Sequence, residues 1–453
     1  MSEEADTVGT LQARLILGAC EFTAERIRRG RDVAFEPECY MTAWARTQGQ
    51  ARLRRIAHGW RAEPSRLILR TLDSLRWLRG TGYLLVADPA SATNFDNLII
   101  SWALPGDFDS QGGYSDRYFG LAARDVPRTL WFLLLVDGSP PLKLAPNVRI
   151  FCRDTLDARA RCANATPIRV QGVSARDALP RPRRCSSIVA HAHAVAEAIT
   201  IELRRTTIRK VLVPYEGQPF QHAAFLAAKR HDPKIETIGY MHAVLPALPT
   251  DYVFRAGAPE RLLVNGTGQA EILSGQLGWP AQNVQAIPSL RYARDREPAF
   301  AGRVLLPYAC DSEAIAVAFE AYVRAAPEGS MPRWEVRIHP VMAGDARHRA
   351  LAQRLEAIAG RYASRMCEDP EVARQTVIFG ATAAVIEALE RGFEVVHICS
   401  VPLFERHSTQ IWTHLEVQEL APGVYRYRLR VPGAYITFGA PREAASLLGI
   451  DAA

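Results

Sequence analysis

Carboxylates, imidazoles and glycine turns stand at the ends of strand-like runs in this chain. In VLVPYEGQPFQHAAFLAAKR (211–230), Glu216-Gly217 directly follows an apolar run, and a helix opens at about Gln218. A carboxylate placed there can take a proton from an attacking hydroxyl. It can equally stabilise the positive end of the helix dipole. The next run ends IGYMHAVLP and puts His242 at the equivalent edge, whereas His222 falls inside the helix, a packing or surface position.

Further on, RWEVRIHPV (333–341) alternates apolar and charged residues and stops at His339-Pro340. Proline cannot donate to a sheet ladder and sends the chain into a loop. Arg337 and His339 share one face by period-two alternation, and both can donate to an anion. FGATAAVIEALERG (379–392) reads as a strand end, a glycine turn and a helix. Gly380 permits close backbone approach, Thr382 is placed as the N-cap, and free helix N–H groups favour phosphate. Glu387 then falls about a turn and a half inside the helix, where it can accept hydrogen bonds from ribose hydroxyls. Imidazole, helix start and carboxylate together describe a nucleotide site. Singly, each has a plainer reading: His-Pro ends strands, Gly-x-Thr caps helices, and Glu387 can be a surface carboxylate.

Upstream, ISWALPGDFDSQGGYSDRYFG (100–120) is dense in polar and aromatic residues. Asp107, Asp116 and Arg117 can line an acceptor site, with Trp102 and Tyr114 offering flat faces to a sugar ring. The competing account is an ordered loop held by its own aromatics, with Asp116 and Arg117 as an internal ion pair.

Holding these residues requires an α/β fold with two units. Residues 1–80 read mostly as a helical extension. From 81 to 292, strands such as GYLLVAD, TLWFLLLVDG, KVLVPY, IETIGY and RLLVN alternate with helices at 187–205, 219–230 and 268–277. A charged, Pro- and Gly-containing stretch near 290–302 suits a connection. A second alternating series fills 302–435, and 436–453 forms a short helical tail. Such alternation implies parallel sheets covered on both faces. Ligands of open α/β sheets bind outside the carboxyl ends of the strands, where the residues above fall.

At 453 residues, two domains are the expected count. The eight cysteines include no CxxC pair, which suggests neither a zinc site nor a disulfide framework and fits a reducing cytosol. No run approaches the ~20 apolar residues that span a bilayer, and the acidic, polar start argues against a secretory signal. The net charge of +7 rests on 51 arginines and four lysines. The clusters RIRRGR (26–31), RLRR (52–55) and RPRR (181–184) could meet an anionic membrane surface, but without interleaved aromatics they do not describe a nucleic-acid reader.

Several stretches together resemble a bacterial surface-polysaccharide biosynthesis family with the two-Rossmann-domain glycosyltransferase architecture known as GT-B. They are ISWALPGDFDSQGGYSDRYF, YEGQPFQHAAFLAAKR, IGYMHA, LLVNGTGQAEILSGQLGWP and SLRY, with RIHP and FGATAAVIEALERG in the second half. The second-half pattern is also similar to transferases using CMP-activated nonulosonic acids: bacterial sialyltransferases, polysialyltransferases and Kdo transferases. Those share an acidic-acidic-Gly turn, a His-Pro strand end and a Ser/Thr-bearing helix start. Here Tyr215 replaces the first acidic residue, and Ala381 and Ala383 flank a lone Thr382.

The resemblance implies a Rossmann-like acceptor domain at 81–292 and a nucleotide-sugar donor domain at 302–435. Glu216 and His339 are the expected catalytic residues, His339 binding the CMP phosphate with help from Thr382. Arg337, His339, Pro340, Gly380, Thr382 and Glu387 would form the donor site; Asp107, Asp116, Arg117 and His242 would face the acceptor. No cofactor or metal is expected beyond the nucleotide-activated sugar, CMP-linked by the resemblance. No DxD-like pair follows a strand in the second half to hold Mg²⁺, and preorganised donors would instead meet the charge of the leaving nucleotide. The expected function is a cytoplasmic glycosyltransferase of lipopolysaccharide, O-antigen or capsule synthesis, peripheral at the inner face of the inner membrane. It would move a Kdo- or sialic-acid-like sugar to a glycan or lipid-linked glycan. Two alternatives stand beside it: a polyol-phosphate or other nucleotide-donor transferase, and a non-catalytic member of a polysaccharide-synthesis complex.

Overall fold

In the computed structural model, the apolar runs of the first half lie buried along nearly their whole length, as parallel strands covered by helices must. The structure describes residues 7–29, 81–87, 94–136, 138–162, 164–170, 187–293, 300, 302–307, 312–339, 342–367, 374–439 and 444–450. Pro340, the clusters at 52–55 and 181–184, and most of the expected helical extension lie outside the described residues.

After helix α1 (Thr7–Arg28), the first lobe runs β1 (Thr81–Ala87), β2 (Asn97–Ala103), β3 (Thr129–Leu135), β4 (Val148–Arg153), α2 (Leu156–Arg161) and β5 (Thr166–Val170). It continues α3 (Ser187–Leu203), β6 (Lys210–Pro214), α4 (Pro219–His231), β7 (Glu236–Tyr240), β8 (Arg261–Val264), α5 (Thr267–Gln276) and β9 (Val284–Ala286). Its nine-stranded sheet has the order β5-β1-β4-β3-β2-β6-β7-β8-β9, with β1 antiparallel to both neighbours and the rest parallel. The parallel part is doubly wound and reverses direction between β2 and β6, a Rossmann-like arrangement. Strand β2, the centre of this sheet, lies where the sequence showed a polar and aromatic stretch beginning.

Strand β10 (Ser289–Ala293) leads to the second lobe: β11 (Arg303–Leu306), α6 (Ser312–Ala325), β12 (Met331–Pro332), β13 (Glu335–Ile338), α7 (Ala346–Arg361), β14 (Met366–Cys367) and β15 (Gln375–Phe379). Then follow α8 (Ala384–Glu390), β16 (Glu394–Ile398), α9 (Pro402–Glu405), β17 (Leu415–Ala421), β18 (Val424–Leu429), β19 (Phe438–Gly439) and α10 (Ala444–Leu448). The six-stranded sheet runs β13-β11-β15-β16-β18-β17, four parallel strands with an antiparallel hairpin on one edge. Its winding reverses between β11 and β15. The expected architecture of two Rossmann-like sheets is the one observed.

The tail does not stay with the second lobe. Strand β19 pairs in parallel with β10, and α10 packs under the first sheet, where Lys210 Nζ donates to Leu448 O at 3.3 Å and Gly449 O at 2.7 Å. One apolar core joins the lobes, running from Leu15 and Ile16 of α1 through Leu245 and Leu273 to Val385, Trp412 and Tyr435. Gln12 reaches from α1 to Leu403 O at 3.0 Å and Arg406 O at 2.8 Å. Gln269 of the first lobe donates to Tyr435 O at 2.7 Å. A shared apolar interface of this kind restrains relative motion of the lobes.

Candidate active site

Glu216 sits at the carboxyl end of β6, beside the reversal of the first sheet. The turn after it needs glycine: Gly217 has φ +69°, and a Cβ there would come 2.5 Å from Asp251 O. Gln221, in the first turn of α4, pins the same turn. Its Oε1 accepts from Glu216 N at 3.0 Å and Gln218 N at 2.9 Å, and its amide donates to Pro214 O at 2.6 Å.

His242, from the end of β7, faces Glu216 with Nε2 3.2 Å from Oε1. Gln218 donates to the other carboxylate oxygen at 2.6 Å. Desolvation pushes the Glu216 carboxyl up, but the His242 hydrogen bond and charge, the Gln218 bond and the Arg291 charge together hold it below the ordinary range. An ionised carboxylate can only accept, so His242 carries a proton on Nε2. Its Nδ1 is buried without a partner. The side chain of His242 is 3% exposed and that of Glu216 is 34% exposed, so Glu216 is the member of the pair that a substrate can reach.

An aromatic collar fixes the imidazole. Tyr118 lies 4.5 Å from it edge-on, and Trp102 lies 6.1 Å away and packs on Tyr118 and Phe220. Burial, with the charge of Glu216 adding to it, pushes the Tyr118 hydroxyl up to about 12. Tyr118 is held in turn by Asp116, whose carboxylate accepts from Tyr118 N at 2.7 Å, Phe119 N at 2.5 Å, Ser101 Oγ at 2.6 Å and Tyr114 Oη at 2.8 Å.

This corrects three expectations for the 100–120 stretch. Asp116 is buried and its oxygens are committed, so it positions Tyr118 and is not free to meet an acceptor. Tyr114 is also buried, and Tyr118 takes the place beside Trp102 that was expected of it. Arg117 pairs with Asp107 instead of Asp116, leaving the Asp107–Arg117 pair at the rim. His222 is a packing residue, buried, with Nε2 2.7 Å from the Tyr215 hydroxyl. Asn265 is fully buried, its amide donating to Met241 O at 2.7 Å behind His242.

In the second lobe, Gly380 follows β15 with φ +62°, its N–H donating to Ile398 O at 3.0 Å. His397 Nε2 lies 2.7 Å from Gly380 O, and a carbonyl only accepts, so the Nε2 proton bonds the turn from beneath. Thr382 Oγ1 accepts from Ala384 N at 3.2 Å, and the helix opens at Ala384 with Ala383 as its N-cap, one residue later than expected. Glu387 therefore lies in the first turn of α8, where Arg391 pairs with it at 3.3 Å. Burial raises the Glu387 carboxyl, against the opposing charges of Arg391 and Arg291. His339 closes β13, its N–H donating to Leu306 O at 3.1 Å and its side chain exposed beside Arg337 on the same strand face. Burial of part of the ring, and then the charge of His348, hold the His339 imidazole below its ordinary value.

No protein-family model matches the chain, and no curated protein matches it either. Solved structures similar in fold include a glycosyltransferase from Rickettsia africae ESF-5, 10% identical over 67% of this chain and 79% of that one, with a TM-score of 0.33. An alpha,alpha-trehalose 6-phosphate synthase from Burkholderia multivorans is 12% identical over 69% of this chain and 83% of that one, with a TM-score of 0.32.

The residue the sequence reading passed over is Arg291, in the SLRY stretch. Leu290 N donates to the Tyr240 hydroxyl at the carboxyl end of β7, and Ser289 pairs with Phe438, over whose ring Arg391, the partner of Glu387, lies at 4.6 Å. The neighbouring Arg291 therefore stands near both Glu216 and Glu387, on which its charge acts. Among the described residues, no cluster of three or more His, Cys, Asp or Glu side chains could hold a metal ion, and no helix is long and apolar enough to cross a membrane.

Proposed function

We propose that the chain is a glycosyltransferase that moves a sugar from a nucleotide donor to a glycan acceptor. The observation that carries this is the Glu216–His242 pair: an ionised, reachable carboxylate braced by a buried imidazole at the reversal of the first sheet. Glu216 accepts the proton of the acceptor hydroxyl as that oxygen bonds to the sugar's anomeric carbon. The bond from that carbon to the phosphate oxygen breaks, and its electron pair leaves with the nucleotide. Arg337, His339 and the Gly380–Thr382 turn supply donors on the phosphate side, and Glu387 stands near a ribose. Trp102 and Tyr118 offer ring faces to the acceptor sugar, with Asp107 and Arg117 at the rim.

A donor linked through CMP, carrying a Kdo- or sialic-acid-like sugar, and an acceptor belonging to a surface polysaccharide, lipid-linked or free, are the finer form of this reading. Its support is the Glu-Gly turn and the Thr-bearing helix start seen at the two strand ends. The test is release of nucleotide from CMP-, UDP- and GDP-sugars by the wild type and by Glu216→Gln. Turnover of at least one donor that Glu216→Gln loses supports the reading; no turnover of any donor, or full activity in the variant, contradicts it.

A further inference from the structure

Two arginines near the strand ends are held by carboxylates: Arg117 by Asp107, and Arg391 by Glu387 at 3.3 Å. Arg291 differs from them. Among the described residues no carboxylate lies within ion-pair distance of its guanidinium, which is exposed and stands 5.6 Å from the Tyr292 ring. Glu216 and Glu387 both feel its charge, yet each spends its own bonds elsewhere.

The backbone that presents Arg291 is firmly built. Strand β10 pairs with β19 at Ser289 and Ala293, and the register shifts between them, so Arg291 sits in an irregularity of the kind that re-aims a side chain. The buried Ser289 hydroxyl accepts from Arg291 N at 3.2 Å and Tyr292 N at 3.0 Å. The Tyr240 hydroxyl accepts from Leu290 N at 2.9 Å. Tyr240 ends β7, two residues before His242, so one strand braces both the imidazole and the guanidinium's loop.

We propose that Arg291 is a further phosphate-binding residue of the donor site, reaching from the strand that joins the lobes to the side facing the Gly380–Thr382 turn. This rests on the reading of the chain as a nucleotide-sugar transferase. The ligand chemistry is a nucleoside mono- or diphosphate, whose oxygens match the planar fork of a guanidinium. As the bond between the anomeric carbon and the phosphate oxygen breaks, the added negative charge falls on the group Arg291 holds, while the acceptor proton goes to Glu216.

The test is calorimetric titration of the wild type, Arg291→Lys and Arg291→Gln with CMP, CDP, UDP and GDP, and with cytidine, uridine and guanosine. Melting curves of the variants should match the wild type, because the side chain is exposed. Arg291→Gln should weaken the preferred nucleotide about tenfold to a hundredfold, the loss of a charge-assisted hydrogen-bond pair. Arg291→Lys should fall between, keeping the charge without the fork. Nucleoside binding should not change. Equal nucleotide affinity in wild type and Arg291→Gln overturns the assignment and leaves the transferase reading standing; so does a parallel loss of nucleoside and nucleotide binding. A wild type that binds none of the four nucleotides overturns both.

Discussion

His242 Nε2 lies 3.2 Å from Glu216 Oε1 although the two residues follow different strands of the first sheet. The pair joins a buried ring, packed by Tyr118 and Trp102, to a carboxylate that a substrate can touch. Glu216→Gln should keep the fold and lower transfer about a hundredfold to ten-thousandfold, the usual range for a general base. His242→Ala should cost activity by loosening the carboxylate, with a larger change in kcat than in KM. Unchanged kcat in Glu216→Gln would remove the base from this position.

Asp116 is a prediction about stability before it is one about activity. Asp116→Ala removes the acceptor of Ser101 Oγ, Tyr118 N and Phe119 N in a buried site, while Tyr114 keeps Trp102 O, a loss of roughly 2–4 kcal/mol. The urea midpoint should drop accordingly, and activity should fall as Tyr118 leaves the imidazole. A variant of wild-type stability with impaired acceptor binding would restore the acceptor role expected from the sequence.

Gly217→Ala tests the turn that aims Glu216. The positive φ and the 2.5 Å approach to Asp251 O both oppose a side chain. A destabilisation of roughly 1–3 kcal/mol is expected, with loss of transfer. Thermal unfolding that matches the wild type would show that the turn tolerates a Cβ.

Acid sensitivity follows from buried imidazoles. Burial pushes His191, set among Tyr83, Phe151 and Phe220, and His397, beneath the Gly380 turn, each down to about 4. Unfolded, each takes its proton near 6.5. Between those values the unfolded chain binds more protons, so stability rises with pH; it is fully present above about pH 6.5 and is lost as pH falls toward 4. The slope should be on the order of 1 kcal/mol per pH unit for each histidine. Urea midpoints measured from pH 7 to 4.5 check this, and a flat profile contradicts it.

Strand ends were legible in the sequence where a short apolar run met a turn residue, which is why Glu216, His242, His339 and Gly380 stand at carboxyl edges as expected. Strand β2 was not, because its apolar run merges with the aromatic loop that packs on it. The return of the tail to the first lobe carries no local signal, since pairing partners far apart in sequence, Ser289 and Phe438, decide it. The partner of Arg117 was misjudged for a similar reason. Asp116 is adjacent to it, but buried donors from Ser101 and Tyr114 claim Asp116 first. Arg291 was overlooked because its position depends on a strand irregularity and on two buried hydroxyls, none of which periodicity reveals.

The central claim is that a nucleotide's phosphates sit between the two sets of strand ends, facing Glu216. A crystal structure of the chain with the nucleoside phosphate it binds tightest measures this directly. The account predicts phosphorus atoms between the Arg291 guanidinium and the Gly380–Thr382 turn, with the open side of the phosphate toward Glu216. A nucleotide seated at the opposite edge of either sheet, away from both, would contradict it.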